Sequence, residues 1–300
     1  MENIKIADAD FPASYIAADK AAINAQGKYL RVIRADLFLL IIGALVLVYV
    51  YPAGINRYIA IISTLLFAGS LAATLILQKN RYEKTWYGAR AIAESVKTLT
   101  WKYMTCAEPF MLDTDINRVN DDFIGELNNI LGKRDEIVWA ITEESRLAPQ
   151  ISEKMKTVRA LNSEQRKNIY IEQRINDQRV WYRDKSIYNR KAESRWYGWV
   201  IFSQLLAFAA SISIIAFPSS PVNLTGVFAA MAAAFLAWMQ TRQHQELAQS
   251  YSIAAYELDM IAEKADRILT EDELSEFVSD AENAVSREHT LWVARRDKIT

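Results

Sequence analysis

The chain has 300 residues, 51% of them hydrophobic and 24% charged, with a formal net charge of −1 and a single cysteine. A balance this close to neutral, with a pI near 6.2, gives no global argument for nucleic-acid binding. One cysteine excludes an internal disulfide and fits a reducing compartment for the soluble parts. The mean hydropathy of −0.03 is that of a soluble protein, but the average conceals segregation, because roughly 80 residues fall in four uncharged apolar stretches.

In chain order, residues 1–28 carry Asp and Lys throughout and lack an apolar core, so they do not read as a secretory signal. The first apolar arm covers 37–55, turns near residues 52–57, and returns over 58–77. The third covers 196–217, turns at Pro218-Ser219-Ser220-Pro221, and the fourth returns over 222–239. At 1.5 Å per residue, arms of about 20 residues match a hydrocarbon layer of about 30 Å. Burying four such helices in a soluble bundle would demand core helices of unusual length. Lys28, Arg31 and Arg34 precede the first arm, and Lys79, Arg81 and Lys84 follow the second. Lys185, Arg190, Lys191 and Arg195 precede the third, Arg242 follows the fourth, and the two turns carry only Arg57. The positive-inside rule then puts both termini and the central region in the cytoplasm of a multi-pass protein of the inner (cytoplasmic) membrane.

Outside the arms the pattern predicts helix throughout. Past the second arm a stripe of Tyr82, Trp86, Ala89, Ala93, Val96, Thr100 and Tyr103 advances by fours and threes. Past the fourth arm Leu247, Tyr251, Ala254, Leu258, Ile261, Ala265 and Ile268 advance in the same steps. Such spacing places each set on one helix face, the seam of a helical hairpin or coiled coil. Asp19-Lys20 and Asn24 correspond to Asp184-Lys185 and Asn189, and residues 134–139 resemble residues 287–292. Matches in the same order, with an apolar hairpin inside each unit, argue for a tandem duplication. Pro109 stops the first stripe helix, and Asn120 with Asp121 and Asp122 suits a helix start near Phe123. Asn162 or Ser163 caps a helix running without Pro or Gly to Tyr197 and on into the third arm. Thr270 with Glu273 forms a capping box for a helix reaching about Arg296.

The expected architecture is an all-α integral membrane protein with four transmembrane helices as two hairpins, each followed by a cytoplasmic helical hairpin. Residues 1–150 form the first unit, with spans 37–55 and 58–77 and cytoplasmic helices over about 80–145. Residues 151–300 form the second, with a long helix 163–195 entering span 196–217, then span 222–239 and cytoplasmic helices 240–296.

The C-terminal unit carries Gln245, Leu247, Tyr251, Ala254-Ala255 and Leu258, then Glu282, Ser286, Glu288, His289, Trp292 and Arg295-Arg296. With the membrane hairpin before them, these residues resemble the SLATT group, the SMODS- and SLOG-associating two-transmembrane effector domains. The N-terminal unit, with Tyr82, Trp86 and Tyr87, is similar to a more divergent member, so the chain resembles a tandem SLATT protein. The resemblance implies a pore-forming or membrane-perturbing effector of a prokaryotic conflict or antiviral defence system. It implies triggering from the cytoplasm by a nucleotide signal, such as a cyclic nucleotide, or by a partner sensor protein.

No catalytic constellation is visible. His244 and His289 lie far apart without paired ligand spacing, and Cys106 has no nearby histidine. Nine glycines build neither a Walker loop nor a G-x-G-x-x-G turn. No catalytic residue, metal, cofactor or nucleic-acid partner is expected, and the chain reads as non-enzymatic. The polar residues inside the arms are the candidates instead, because placing them in lipid is costly. Gln204 and Ser211 share a face with Phe208 and Ile215, Ser203 lies elsewhere on the third arm, and Asn223 and Thr225 open the fourth. Two readings stand: a water-lined path in a homo-oligomer, or interhelical hydrogen bonds worth about 1 kcal/mol or less each. Small residues Ala207, Ala210, Ala229 and Ala233 allow close helix approach, within one chain or between chains. Arg183, Arg190, Lys191 and Arg195 belong to a basic stretch that also includes Arg174 and Arg179. It reads as a solvated, salt-bridged face with juxtamembrane anchoring, or as a contact for a nucleotide or anionic lipid. The alternative to a pore-forming effector is a non-enzymatic membrane scaffold whose cytoplasmic helices recruit a partner.

Overall fold

A computed structural model describes residues 4–49, 53–133 and 148–296, with side chains described as far as Ser286 at the C-terminal end. Among the described residues 84% are helical and no strand forms. In order, the helices are α1 (Ala13–Val46), α2 (Ala53–Asn80), α3 (Tyr82–Thr105), α4 (Ile116–Gly132), α5 (Glu153–Arg159), α6 (Ser163–Tyr170), α7 (Asp177–Ala216), α8 (Thr225–Arg242), α9 (His244–Ala262) and α10 (Glu271–Arg296). A π-helical turn, Ile171–Asn176, joins α6 to α7, so one helical run extends over Ser163–Ala216.

Local chemistry sets several boundaries where the sequence places them. The Asn162 side chain accepts from the Gln165 amide at 2.9 Å and opens α6. Thr270 Oγ1 accepts from the Glu273 amide at 3.2 Å while Glu273 Oε2 accepts from the Thr270 amide at 3.0 Å, the reciprocal bonds of a capping box. Two boundaries differ from expectation. Helix α4 starts at Ile116 rather than near Phe123, because the Asp115 carboxylate accepts from the Asn117 and Arg118 amides and caps it there. Helix α1 ends at Val46 instead of running on to residue 55. Leu47 and Val48 turn off its end, Tyr49 pairs antiparallel with Val222, and the Asn223 amide donates to the Val48 carbonyl at 2.9 Å.

The chain divides into two compact units, and each draws on both halves of the sequence. One gathers Met1–Gln26, Glu83–Ser186 and Gln249–Thr300; the other gathers Gly27–Tyr82 and Ile187–Ala248. In the first unit α3 is the central helix. Ala89, Ile92, Ala93, Val96, Leu99, Trp101, Tyr103 and Met104 are all buried, which closes several of its faces and not only the predicted stripe. Around it pack Phe11 and Tyr15, Val119, Phe123 and Leu127 of α4, Met155 and Val158 of α5, Leu258 of α9, and Phe277, Val278 and Ala281 of α10. Each fully buried large apolar side chain contributes about 1.5–3 kcal/mol relative to exposure. Every member of the α9 stripe is buried or half-buried as well.

The second unit inverts this pattern. Leu65, Leu71, Phe208 and Ile215 stand 66%, 61%, 66% and 77% exposed, on helical stretches with few polar residues. Two helical runs, Ile55–Thr105 and Ser163–Ala216, are long and apolar enough to cross a membrane, and little of either apolar stretch is covered by the rest of the chain. Apolar surface of that extent has no stable place in water. Between α1 and α2 the buried groups include two serines. Ser63 Oγ donates to the Gly43 carbonyl at 3.4 Å, and Ser70 Oγ donates to Asp36. A Cβ at Gly43 would lie 2.8 Å from the Phe67 ring, so this close approach needs glycine.

One device recurs. A single left-handed residue separates α2 from α3 (Arg81, φ 45°) and α8 from α9 (Gln243, φ 48°). These elbows follow the second helix of each apolar pair, at corresponding places in the two repeats. The residues compared at 134–139 lie outside the described residues, as do the side chains of residues 287–292.

Candidate functional site

The polar candidates of the apolar helices occupy distinct environments. Gln204 and Ser211 are exposed on α7, among Phe208, Ile212 and Ile215, which are exposed too. Ser203 is fully buried, and its hydroxyl has no hydrogen-bond partner among the described residues. Asn223 is exposed at the turn before α8, where its side chain accepts from the Thr225 amide at 3.1 Å; Thr225 is half-buried. Ala207 and Ala210 are half-buried, whereas Ala229 and Ala233 face outward, and Ala232 and Ala234 are the buried alanines of α8. Helix α7 thus keeps the Ser203 hydroxyl inward and directs the Gln204 amide and the Ser211 hydroxyl outward.

Next to this apolar surface lies an aromatic and cationic belt. Trp196 contacts Phe235 and Trp238, with ring centroids 5.8 and 6.2 Å apart, and Trp199 contacts Phe235 at 6.2 Å. The Arg34 and Arg242 guanidinium carbons lie 5.8 and 6.0 Å from the Trp238 ring. Arg190, Lys191 and Arg195 are exposed on α7. Beneath them, His244 is 2% exposed, and its Nδ1 lies 2.7 Å from Asn189 Oδ1. Burial, aided by Arg242 and Arg195, lowers the His244 pKa to about 4. Arg183 does not belong to this belt; it lies in the first unit, 3.4 Å from Asp259, which also accepts from Arg179 Nε at 2.7 Å.

The first unit holds a charged core that the sequence reading missed. Arg174, taken there as part of a solvated face, is buried, with its Nε and Nη2 donating to Glu282 at 2.9 and 2.8 Å. Glu282, itself fully buried, also accepts from Tyr170 Oη at 3.0 Å and Thr98 Oγ1 at 2.7 Å. Four donor groups from α3, α6 and the π-turn thus converge on one carboxylate of α10. Burial disfavours the Arg174 charge, but the Glu282 carboxylate more than offsets it and raises the pKa; burial and Glu282 together push the Tyr170 hydroxyl far up. Burial and then Arg174 lower the pKa of nearby Lys97, whose ammonium sits 5.3 Å from the Phe11 ring and 5.4 Å from the Tyr15 ring. Arg166, also buried, donates to Glu271 and to the Thr105 carbonyl. Arg159 spans the end of α3, donating to the carbonyls of Tyr103 (2.9 Å), Phe110 (2.8 Å) and Met111 (3.0 Å). One sequence signal was available: Arg166, Tyr170 and Arg174 are spaced by four and share a helix face. Burial raises the Cys106 thiol pKa, which keeps it protonated and unreactive.

Between α9 and α10 the first unit opens a groove of about 690 Å³, lined by Tyr256, Met260, Ile261, Lys264, Asp280 and Asn283 among others. Tyr256 and Met260 remain exposed in it.

Comparison with known families supplies the identity. The sequence profile of SMODS and SLOG-associating 2TM effector domain 3 matches residues 12–167. That of SMODS and SLOG-associating 2TM effector domain 1 matches residues 170–292. No curated protein and no solved structure matches the chain. With an all-helical fold, two helices able to cross a membrane and two consecutive matches over nearly its whole length, the chain is a membrane protein that belongs to the SLATT family and carries two SLATT domains in tandem.

Proposed function

We propose that the protein is an effector that breaches the inner membrane of a prokaryotic cell by assembling copies of itself into a pore. SLATT domains are two-transmembrane effector domains linked to conflict systems, which supports an effector role. Four helices cross the bilayer as two hairpins, with both termini in the cytoplasm. A nucleotide signal or a partner sensor acts on the cytoplasmic helices and shifts the closed-to-open equilibrium, by as much as its differential affinity for the two states. The chain has no chemistry of its own in this reading.

The observation that carries the reading is the outward placement of Gln204 and Ser211 on the mainly apolar C-terminal half of α7. An amide facing lipid is costly, and a neighbouring copy relieves that cost by supplying hydrogen bonds or a shared water path. Expression of the full chain in bacteria with a membrane-potential dye tests it. Depolarisation is expected, with Gln204→Leu slowing it several-fold at equal membrane abundance. Retention of potential and growth under every trigger supplied would overturn the pore.

The groove between α9 and α10, with Tyr256 and Met260 exposed, favours a second reading as a scaffold that recruits a partner. Replacing the apolar hairpins with unrelated spans separates the two: a scaffold keeps its effect in cells and a pore former loses it.

A further inference from the structure

Two arginines of the second unit approach one indole, and a third immediately precedes the tryptophan packed against it. Arg34 from α1 and Arg242 from α8 both approach the Trp238 ring. Arg195 from α7 precedes Trp196, whose ring contacts Trp238. Among the described residues, none of the three takes part in an ion pair. The nearest acid in sequence to Arg34, Asp36, instead accepts from Ser70. Arg34 Nε is held by the Leu30 carbonyl at 3.1 Å. Arg195 and Arg242 both act on the buried ring of His244, which places their fields at one locus. Guanidiniums set against indoles and paired with no carboxylate among the described residues present the donor forks that match a phosphate group. Their setting selects the source of that phosphate. Trp196, Trp199 and Trp238 form the aromatic belt found at headgroup level, at the end of helices whose apolar side chains face outward.

We propose that Arg34, Arg195 and Arg242, set around Trp238 and Trp196, form a binding site for the phosphate of an anionic phospholipid headgroup. The site needs only that the chain lies in a membrane, and it stands or falls separately from the pore. A lipid phosphate there stitches α1, α7 and α8 together at the membrane surface.

Native mass spectrometry of the full chain in neutral detergent, titrated with phosphatidylglycerol or phosphatidylcholine, tests the assignment. Phosphatidylglycerol is expected to be retained at least about tenfold more tightly, since each basic residue near the surface contributes roughly a factor of five toward anionic lipid. Arg34→Gln with Arg242→Gln is expected to weaken it roughly 25-fold, and Arg57→Gln, outside the cluster, to leave it unchanged. Equal retention of the two lipids, or an unchanged double variant, overturns the site. Displacement of the lipid by millimolar inorganic phosphate or a soluble nucleotide overturns the lipid as source and reassigns the site to free phosphate. A measurement on the unsubstituted protein guards against a variant that misfolds. Phosphatidylglycerol neutralises the field of Arg195 and Arg242, so the His244 ring should titrate above about 4 when the lipid is bound. A His244 titration that ignores the lipid also overturns the proposal.

Discussion

Removing the Glu282 carboxylate leaves the Arg174 guanidinium charged in a site where neither side chain reaches solvent. Breaking a buried pair from one side costs about 3–5 kcal/mol, whereas replacing both partners with apolar residues of similar volume is often neutral. Glu282→Ala should therefore lower the Tm of the detergent-solubilised protein sharply, and Arg174→Met with Glu282→Met should recover most of the loss. A double variant no more stable than the single one would mean that Tyr170 and Thr98, rather than the ion pair, hold the carboxylate's place. His244 sets a pH dependence of definite sign. Its folded pKa of about 4 lies below the ordinary 6.5, so between these values the unfolded chain binds more protons. The contribution is complete above about pH 6.5 and is lost as the pH falls toward 4. Thermal unfolding followed from pH 7 to pH 5 should show a Tm loss on the order of 5 °C that His244→Asn removes. At this scale the sequence misleads, because an arginine or glutamate reads as surface until its partner is known. Arg174 and Glu282 are 108 residues apart, and nothing local connects them.

Helices divide by what ends them. Where a cap is local, as at Asn162 and Thr270, the residues announce the boundary themselves. Where the stop is made by distant chain, they do not: α1 ends because backbone at Val48 and Tyr49 pairs with Asn223 and Val222. The elbows at Arg81 and Gln243 were hidden for another reason, since neither residue type favours a left-handed conformation, which costs an L-residue about 1–2 kcal/mol. Gln243→Gly should thus match or exceed the native Tm, while the β-branched Gln243→Val should lower it by several degrees. Equal values for the two would show that the elbow can be remade elsewhere. The apolar stripes were legible because α3 and α9 each bury the predicted face. The burial of the other α3 faces was not, as it follows from how many helices surround it.

At the scale of the whole chain, segregation of apolar residues was readable and assembly was not. In the proposed pore, the outward Gln204 and Ser211 of α7 meet a neighbouring copy of the chain. The detergent-free particle mass should be a multiple of the 34.2 kDa chain, and Gln204→Leu with Ser211→Leu should shift it toward one copy. A native particle of a single chain would leave no room for a conducting path, since a lone four-helix bundle is filled by its own side chains.

The π-turn at Ile171–Asn176 bears on that outward face. Such a turn accommodates one residue beyond the α-helical repeat, and each residue of a helix advances its azimuth by about 100°. The compass bearing of Gln204 and Ser211 around the α7 axis is therefore keyed to a single-residue insertion some 30 positions upstream, in the turn that carries Arg174.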